Sequence, residues 1–323
     1  MWTPALGRLG GKMKKIIILL VMSLFVVFST AAQTDKKYNN FINVVKKELK
    51  EIHIQNYEEH FKEQYFIIKE ENDYFDIGTE VGLTNLYNIC SQNDKSQWKN
   101  IIKNHFSQVK ISRDEEKAIL PKLEKFETGK EYLKLRIYPI DYKDQISKSS
   151  IFESSTDDYI SVVVIDFPSA IKNLTKGYLE KWNISEKEIL EIAKENTLKN
   201  NKEEFEEYKI SDTFSVSVML SDTNIFVTSS IYDLNKKYNS ISKYGAFVAI
   251  PNRYGIILKN INKETINNDI VQMMGLVNYM YQQGPGSISN TIYWFDGKHF
   301  FKVIHNPSKG MLKLPDELIE ILK

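Results

Sequence analysis

The chain has 323 residues, which is enough for one large domain or two small ones. Its 43 basic and 42 acidic residues give a formal net charge of +1, so there is no electrostatic reason to expect binding of nucleic acid or of an anionic membrane. The single cysteine, Cys90, excludes an intramolecular disulfide, and its apolar neighbours are typical of a small core residue rather than a nucleophile.

The first recognisable pattern along the chain is that of an export signal. A positively charged start at Met13 is followed by an apolar run, Ile16 to Phe28, and then by small residues up to Ala32. This run is shorter than the ~20 apolar residues of a membrane-spanning helix. We therefore interpret residues 13–32 as a cleavable signal peptide and residues 1–12 as an upstream extension, with an uncleaved signal anchor as the alternative.

Cleavage would leave a protein without a stable membrane span, located in the periplasm or outside the cell. Removing both segments leaves 39 basic and 42 acidic residues, a net charge near −3. The absence of paired cysteines indicates that such an exported protein is stabilised by its core alone.

Residues 33–128 are predicted to form a region of helices with one hairpin. Apolar residues at helical spacing predict helices over 38–52, 84–90, 97–109 and 113–126, the last broken or kinked at Pro121. The apolar run 65–68 and the segment 74–77, separated by a polar turn, predict the hairpin.

Residues 129–323 contain more predicted strands. Alternating or continuous apolar runs predict strands over 132–138, 159–167, 214–220, 225–228, 246–250, 254–258, 291–295 and 299–304. Ser185 and Glu188 form a capping box that begins a helix over 185–200, and a second helix is predicted over 264–283. Because strands and helices do not alternate strictly, we predict an α+β fold, with mixed or antiparallel sheets packed against helices.

Several short blocks occur in the order found in a family of bacterial proteins of unknown function typified by YtpQ. They are LRIYP at 135–139, VIDF at 164–167, LEKW at 179–182 and FVAIPNR at 247–253. The chain resembles this family over roughly residues 130–305. The resemblance implies an α+β domain over 129–323 but no catalytic residues, and the chain departs from the better-known members in its predicted signal peptide.

No motif specifies a reaction. The sequence contains no zinc-protease, paired-cysteine, nucleophile-elbow or phosphate-loop pattern, and its five histidines are scattered. We therefore expect no metal and no cofactor.

Four residues form the best candidate site in the sequence. Arg136 lies within a predicted strand, Asp166 at the end of another, and Asn252 and Arg253 in a predicted hairpin turn. Two arginines beside a carboxylate can bind an anionic ligand or a chain terminus through paired hydrogen bonds. The alternative is a cross-strand Arg136–Asp166 ion pair, with Asn252 completing the turn.

These observations favour an exported binding or interaction protein over an enzyme. Its partner would be an unknown protein or a small anionic ligand. One alternative is a hydrolase that uses Asp166 with His299 or His305, since an exported enzyme cannot rely on a supply of ATP or reduced nicotinamide. A second alternative is an immunity-type protein that blocks a secreted toxin.

Overall fold

A computed structural model describes residues 31–154, 156–284, 286–306 and 311–323. The predicted extension and residues 13–30 of the predicted signal peptide lie outside these ranges. The chain divides into a first unit that ends at Ala118 and a second unit, Ile119–Lys323, whereas the sequence places the boundary at 128/129. Both units combine helices with strands, and the strand pairs in the described ranges are antiparallel, which confirms the α+β class.

In its described part, from residue 31 onward, the first unit packs three helices against a small sheet. Its elements are α1 (Ala31–Glu51), β1 (Tyr57–His60), β2 (Tyr65–Ile68), β3 (Glu80–Gly82), α2 (Thr84–Ser91) and α3 (Lys95–Ile119). Large side chains such as Phe41, Trp98 and Phe106 fill its core. Cys90 is buried in the same core, which raises the pKa of its thiol. This burial agrees with the structural role predicted for the cysteine.

The predicted hairpin of the first unit is wrong. Strand β2 pairs with β1 on one side and with β3 on the other, and residues 74–77 form no strand. The cause is Asn72, whose side-chain oxygen accepts hydrogen bonds from the backbone N–H groups of Tyr74 and Phe75 and so curls the chain. The two predicted helices between 97 and 126 merge into α3, which gives way to a 3-10 helix, Leu120–Glu124, at the predicted break near Pro121.

The second unit begins with a four-stranded sheet backed by helices. Its elements are α4 (Phe126–Gly129), β4 (Leu133–Pro139), β5 (Phe152–Glu153), β6 (Tyr159–Asp166), β7 (Ile171–Asn173), α5 (Gly177–Trp182) and α6 (Glu186–Asn200). Strand β6 pairs with β4 on one side and with β5 and β7 on the other. Ser185 caps α6 as predicted, because its hydroxyl accepts a 3.2 Å hydrogen bond from the Glu188 N–H. Ile189 and Ala193 of α6 pack on the sheet.

Strand β4 lies at the edge of this sheet, yet the outer backbone groups of Leu135, at its middle, have partners. The Leu135 N–H donates to the Thr197 hydroxyl oxygen of α6 at 2.7 Å. The Leu135 carbonyl accepts a 2.7 Å hydrogen bond from the Ser229 hydroxyl. Two buried hydroxyl groups thus occupy the place of a neighbouring strand.

The second unit also contains a six-stranded antiparallel sheet. Its elements are β8 (Glu206–Ser211), β9 (Phe214–Leu220), α7 (Leu234–Lys237), β10 (Ala246–Asn252), β11 (Gly255–Asn260), α8 (Ile266–Gln283), β12 (Tyr293–Phe295) and β13 (Phe300–Lys302). The strand order is β13-β12-β10-β11-β9-β8. A hairpin and a short helix follow it: β14 (Ile304–Asn306), β15 (Met311–Lys313) and α9 (Asp316–Leu322).

Different elements pack on the two faces of this sheet. Ile270, Met273 and Val277 of α8 pack on one face, as the helical spacing of 264–283 predicts. A 3-10 helix, Val227–Asp233, packs on the other face. The strand predicted at 225–228 is therefore wrong, because this segment leads into the 3-10 helix, whose Ser229 and Ser230 hydroxyls bond to Leu135 and Asn201.

Candidate functional site

Arg136 lies in the middle of β4 and is 9% exposed. Its guanidinium carbon lies 4.8 Å from the centre of the Tyr138 ring. Burial raises the pKa of Tyr138 to about 12, and the nearby Arg136 lowers it. In the described part of the chain, the Arg136 Nε atom is buried without a hydrogen-bond partner, and no carboxylate forms an ion pair with this side chain.

Asp166 is the last residue of β6 and is half-buried. In the β4–β6 register Lys134 pairs with Val164, which places Asp166 diagonally from Lys134 and two residues farther from Arg136. Lys134 is accordingly the cation that acts on the Asp166 carboxyl. No Arg136–Asp166 ion pair forms among the described residues.

Asn252 and Arg253 hold the loop that follows α8. The Asn252 side chain donates to the Met280 carbonyl at 3.2 Å and accepts from the Tyr254 N–H at 3.0 Å. A Cβ atom at Gly284 would lie 2.2 Å from the Asn252 amide nitrogen, so this approach requires glycine. The Arg253 N–H donates to the Gly286 carbonyl at 2.9 Å.

The four predicted site residues do not come together in any of three clefts of the second unit. These clefts have volumes of about 390 to 440 Å³, and of the four residues only Asp166 lines one of them. His299 and His305 line the other two clefts, apart from Asp166. The structure therefore does not gather the two arginines around the carboxylate.

The cleft that Asp166 lines has a volume of about 400 Å³. It lies where β4 begins and β6 ends, beside the C-terminal end of α6. Its lining residues are Lys134, Asp166, Thr197, Asn200, Asn201, Lys202, Glu203, Asn224 and Phe226. We call it the Lys134–Asp166 cleft.

Lys134 supplies a buried amine to this cleft. Its side chain is 5% exposed, and its ammonium donates a 2.9 Å hydrogen bond to the Asn196 carbonyl in the last turns of α6. Burial lowers the pKa of Lys134, Asp166 raises it and Lys199 lowers it further. Only one of the three ammonium hydrogens has a protein acceptor in the described residues, so two remain for a ligand.

Asp166 supplies an acid whose carboxylate makes no hydrogen bond in the described part of the chain. Burial raises its pKa, and Lys134 lowers it. The two groups form no ion pair within 4 Å, so neither neutralises the other by direct contact. Perturbed titratable groups that face one cleft are typical of functional sites.

A network of amide groups fixes the opposite wall. The Asn224 amide donates to Asn201 and to Glu203, in each case at 2.9 Å. The Asn201 amide in turn donates to the Phe226 carbonyl at 2.8 Å and to the Ser230 hydroxyl at 3.0 Å. Because these amides satisfy one another, they shape the cleft rather than offer free binding groups.

The sequence predicts Asp166 as a site residue but not Lys134 or the amide groups of Asn201 and Asn224. A lysine in an alternating strand predicts a solvent-facing side chain, and no local pattern distinguishes a buried one. Asn201, Glu203 and Asn224 come from two loops that meet only in the folded chain. Their side chains therefore carry no spacing signal.

Within the described ranges, no three histidine, cysteine or acidic side chains cluster to hold a metal ion. Over the same ranges, every helix is too short or too polar to cross a membrane. No family model matches the chain, and neither do any of the curated proteins or solved structures compared with it. The resemblance to the family typified by YtpQ stays a prediction.

Proposed function

We propose that this protein is an exported binding protein whose Lys134–Asp166 cleft takes a small zwitterion, such as an α-amino acid. The proposal of export rests on the signal pattern of residues 13–32. The proposal of the ligand rests on one observation, that the cleft holds a buried amine and a half-buried acid that do not contact each other.

The chemistry of the two side chains defines the ligand. Burial disfavours the charged form of both groups, and direct pairing does not compensate for it. A ligand ammonium beside Asp166 and a ligand carboxylate beside Lys134 would supply the two missing counter-charges. Hydrogen bonds between charged groups contribute about 1.5–3 kcal/mol each, enough for specific recognition.

The C-terminal end of α6 adds a negative field to the cleft. The last carbonyl groups of a helix carry a partial negative charge that attracts cations. One of these carbonyls, from Asn196, already holds the Lys134 ammonium. The same field favours a ligand ammonium near Asp166 over a purely anionic ligand.

The lining of the cleft favours binding over hydrolysis. A hydrolase of the kind predicted needs a histidine beside Asp166, and the residues that line this cleft include none. His299 instead contacts Asp296, with 3.4 Å between the ring nitrogen and the carboxylate oxygen.

A thermal-shift screen of the twenty amino acids against the mature protein, followed by calorimetry, tests the proposal. We expect at least one of them to raise the melting temperature at millimolar concentration. For that ligand, Asp166→Asn and Lys134→Met should each weaken binding about 10- to 100-fold. The matched control Lys209→Met alters an exposed lysine and should bind as the wild type does.

Two analogues of the ligand, each with only one of its two charged groups, make the test specific. The decarboxylated amine should be affected by Asp166→Asn but not by Lys134→Met, and the deaminated acid should show the reverse. Wild-type affinity in both variants, or no stabilisation by any amino acid, would overturn the proposal.

A further inference from the structure

A second cleft of the same unit differs in chemistry from the Lys134–Asp166 cleft. It has a volume of about 440 Å³ and lies between the 3-10 helix Val227–Asp233, helix α7 and the β12–β13 hairpin. Its apolar wall consists of Tyr159, Ile231, Leu234, Phe295 and Phe300. We call it the Tyr159 cleft.

The wall presents aromatic rings in a fixed arrangement. Phe295 and Phe300 stack with their ring centres 4.6 Å apart. The Asn235 side chain at the start of α7 donates a hydrogen bond to the Gly297 carbonyl at the tip of the hairpin. This bond joins two sides of the cleft, so the space between them is preformed rather than created by a ligand.

Tyr159 contributes to the cleft a hydroxyl group without a protein partner among the described residues. The residue is 5% exposed and lines the cleft, and its hydroxyl makes no hydrogen bond to any described residue. The neighbouring Tyr232 differs, since its hydroxyl bonds to the Ser161 hydroxyl. A hydroxyl group that lines a cleft and has no protein partner is free to donate a hydrogen bond to a ligand acceptor.

The polar residues at the mouth of the cleft favour an anionic group. Lys298 forms no ion pair among the described residues, whereas His299 beside it already contacts the Asp296 carboxylate at 3.4 Å. The acid of the same lining, Asp233, is already paired with Lys236 at 3.2 Å. The available groups are thus the Lys298 cation and the Tyr159 hydroxyl donor.

We propose that the Tyr159 cleft binds a small aromatic carboxylate. The ring lies against Phe295 and Phe300, the carboxylate lies at Lys298, and an acceptor on the far side of the ring takes a hydrogen bond from Tyr159. This site is separate from the one in the proposed function, and its ligand carries no ammonium group.

Saturation-transfer NMR and calorimetry with benzoate, 4-hydroxybenzoate and benzyl alcohol test this site on the mature protein. We expect 4-hydroxybenzoate to bind about 2- to 10-fold more tightly than benzoate, the contribution of one neutral hydrogen bond. Benzyl alcohol, which lacks the charge, should bind most weakly.

Two variants assign the contacts. Tyr159→Phe keeps the ring and should abolish the preference for 4-hydroxybenzoate while leaving benzoate binding unchanged. Its melting temperature should not fall, because the hydroxyl has no protein partner to lose. Lys298→Met should weaken both acids at least fivefold without changing the binding of benzyl alcohol, whereas the control Lys187→Met should change nothing.

Absence of binding by all three probes at millimolar concentration would overturn the proposal. Unchanged affinities in both Tyr159→Phe and Lys298→Met would also overturn it, because the ligands would then lie elsewhere. Either result leaves the Lys134–Asp166 cleft unaffected, since amino-acid binding is measured with different variants.

Discussion

Asp158, between β5 and β6, accepts hydrogen bonds from three side chains of the second unit. Thr291 donates at 2.9 Å, Lys302 at 2.8 Å, and the Tyr293 hydroxyl completes the set. Burial raises the pKa of Asp158, but these hydrogen bonds and the charge of Lys302 outweigh burial and lower it overall. The carboxylate therefore stabilises the folded unit in its charged form.

We expect Asp158→Asn to lower the free energy of unfolding at pH 7 by about 1–2 kcal/mol, because charged hydrogen bonds become neutral ones. The Asp158 pKa is lower in the folded than in the unfolded state. Its contribution is therefore fully present above the ordinary carboxyl pKa near 4 and is lost as the pH falls through the folded value.

Urea titrations between pH 2 and 7 measure this effect. Over the acidic part of that range, the wild type should lose more stability than Asp158→Asn does. The variant Asp222→Asn, at an exposed position, serves as the control. Parallel curves for wild type and Asp158→Asn would show that the carboxylate contributes nothing in its charged form.

Among individual residues, the sequence predicts some structural roles better than others. The capping role of Ser185 follows from local spacing, because the bond it makes spans only three residues. The burial of Lys134 and the partners of Asp158 depend on residues more than 60 positions away. Local patterns contain no information about such contacts, so one side of the candidate site was predicted and the other was not.

Strand β4 shows how elements of different type complete each other's hydrogen bonding. Its Leu135 backbone bonds to Thr197 from α6 and to Ser229 from the 3-10 helix. Thr197 is 1% exposed, and its hydroxyl also donates to the Ala193 carbonyl at 2.7 Å. One hydroxyl thus satisfies a strand N–H and a helix carbonyl at once.

Replacing Thr197 by valine tests this arrangement. The two side chains have nearly the same shape, so the change leaves the Leu135 N–H buried without an acceptor. We expect a loss of about 1–3 kcal/mol in the free energy of unfolding, measured by chemical denaturation. The exposed Thr213→Val should change it by less than about 0.5 kcal/mol. An equal effect of both substitutions would mean that the bond to Leu135 is dispensable.

Among the elements, those with a strong and long pattern were predicted and those with a weak one were not. The eighteen-residue helix α8 and the mostly apolar strand β6 follow from periodicity and apolar content. The short segment 225–228 has the composition of a strand, but its position beneath the six-stranded sheet makes it helical. Strand β8 was missed because its mostly exposed, charged residues resemble a loop.

At the scale of the whole molecule, the second unit has its own interior. Each buried apolar cluster of this unit is built from residues at or after Ile119. Its roughly 200 residues are enough to bury the apolar surface that independent folding requires.

We therefore expect residues 119–323 to fold when expressed alone. The fragment should give a dispersed amide spectrum and a cooperative thermal transition, because its buried apolar clusters are complete without residues before 119. A collapsed spectrum with no cooperative transition would show that the unit depends on residues before 119. A fragment that begins at 129, the boundary predicted from the sequence, lacks the buried Leu123 of this unit and should be less stable.

The hydroxyl groups along β4 have a further consequence for the behaviour of the protein at high concentration. A bare strand edge is a template on which another chain can add its own strand, and this is a common route to aggregation and to exchange of segments between molecules. On β4 the Leu135 N–H and carbonyl that a visiting strand would need are already bonded to Thr197 and Ser229. These two side chains thus oppose the addition of another strand at this edge of the four-stranded sheet. Their loss would expose backbone groups that can pair with another chain, and it would also lower stability.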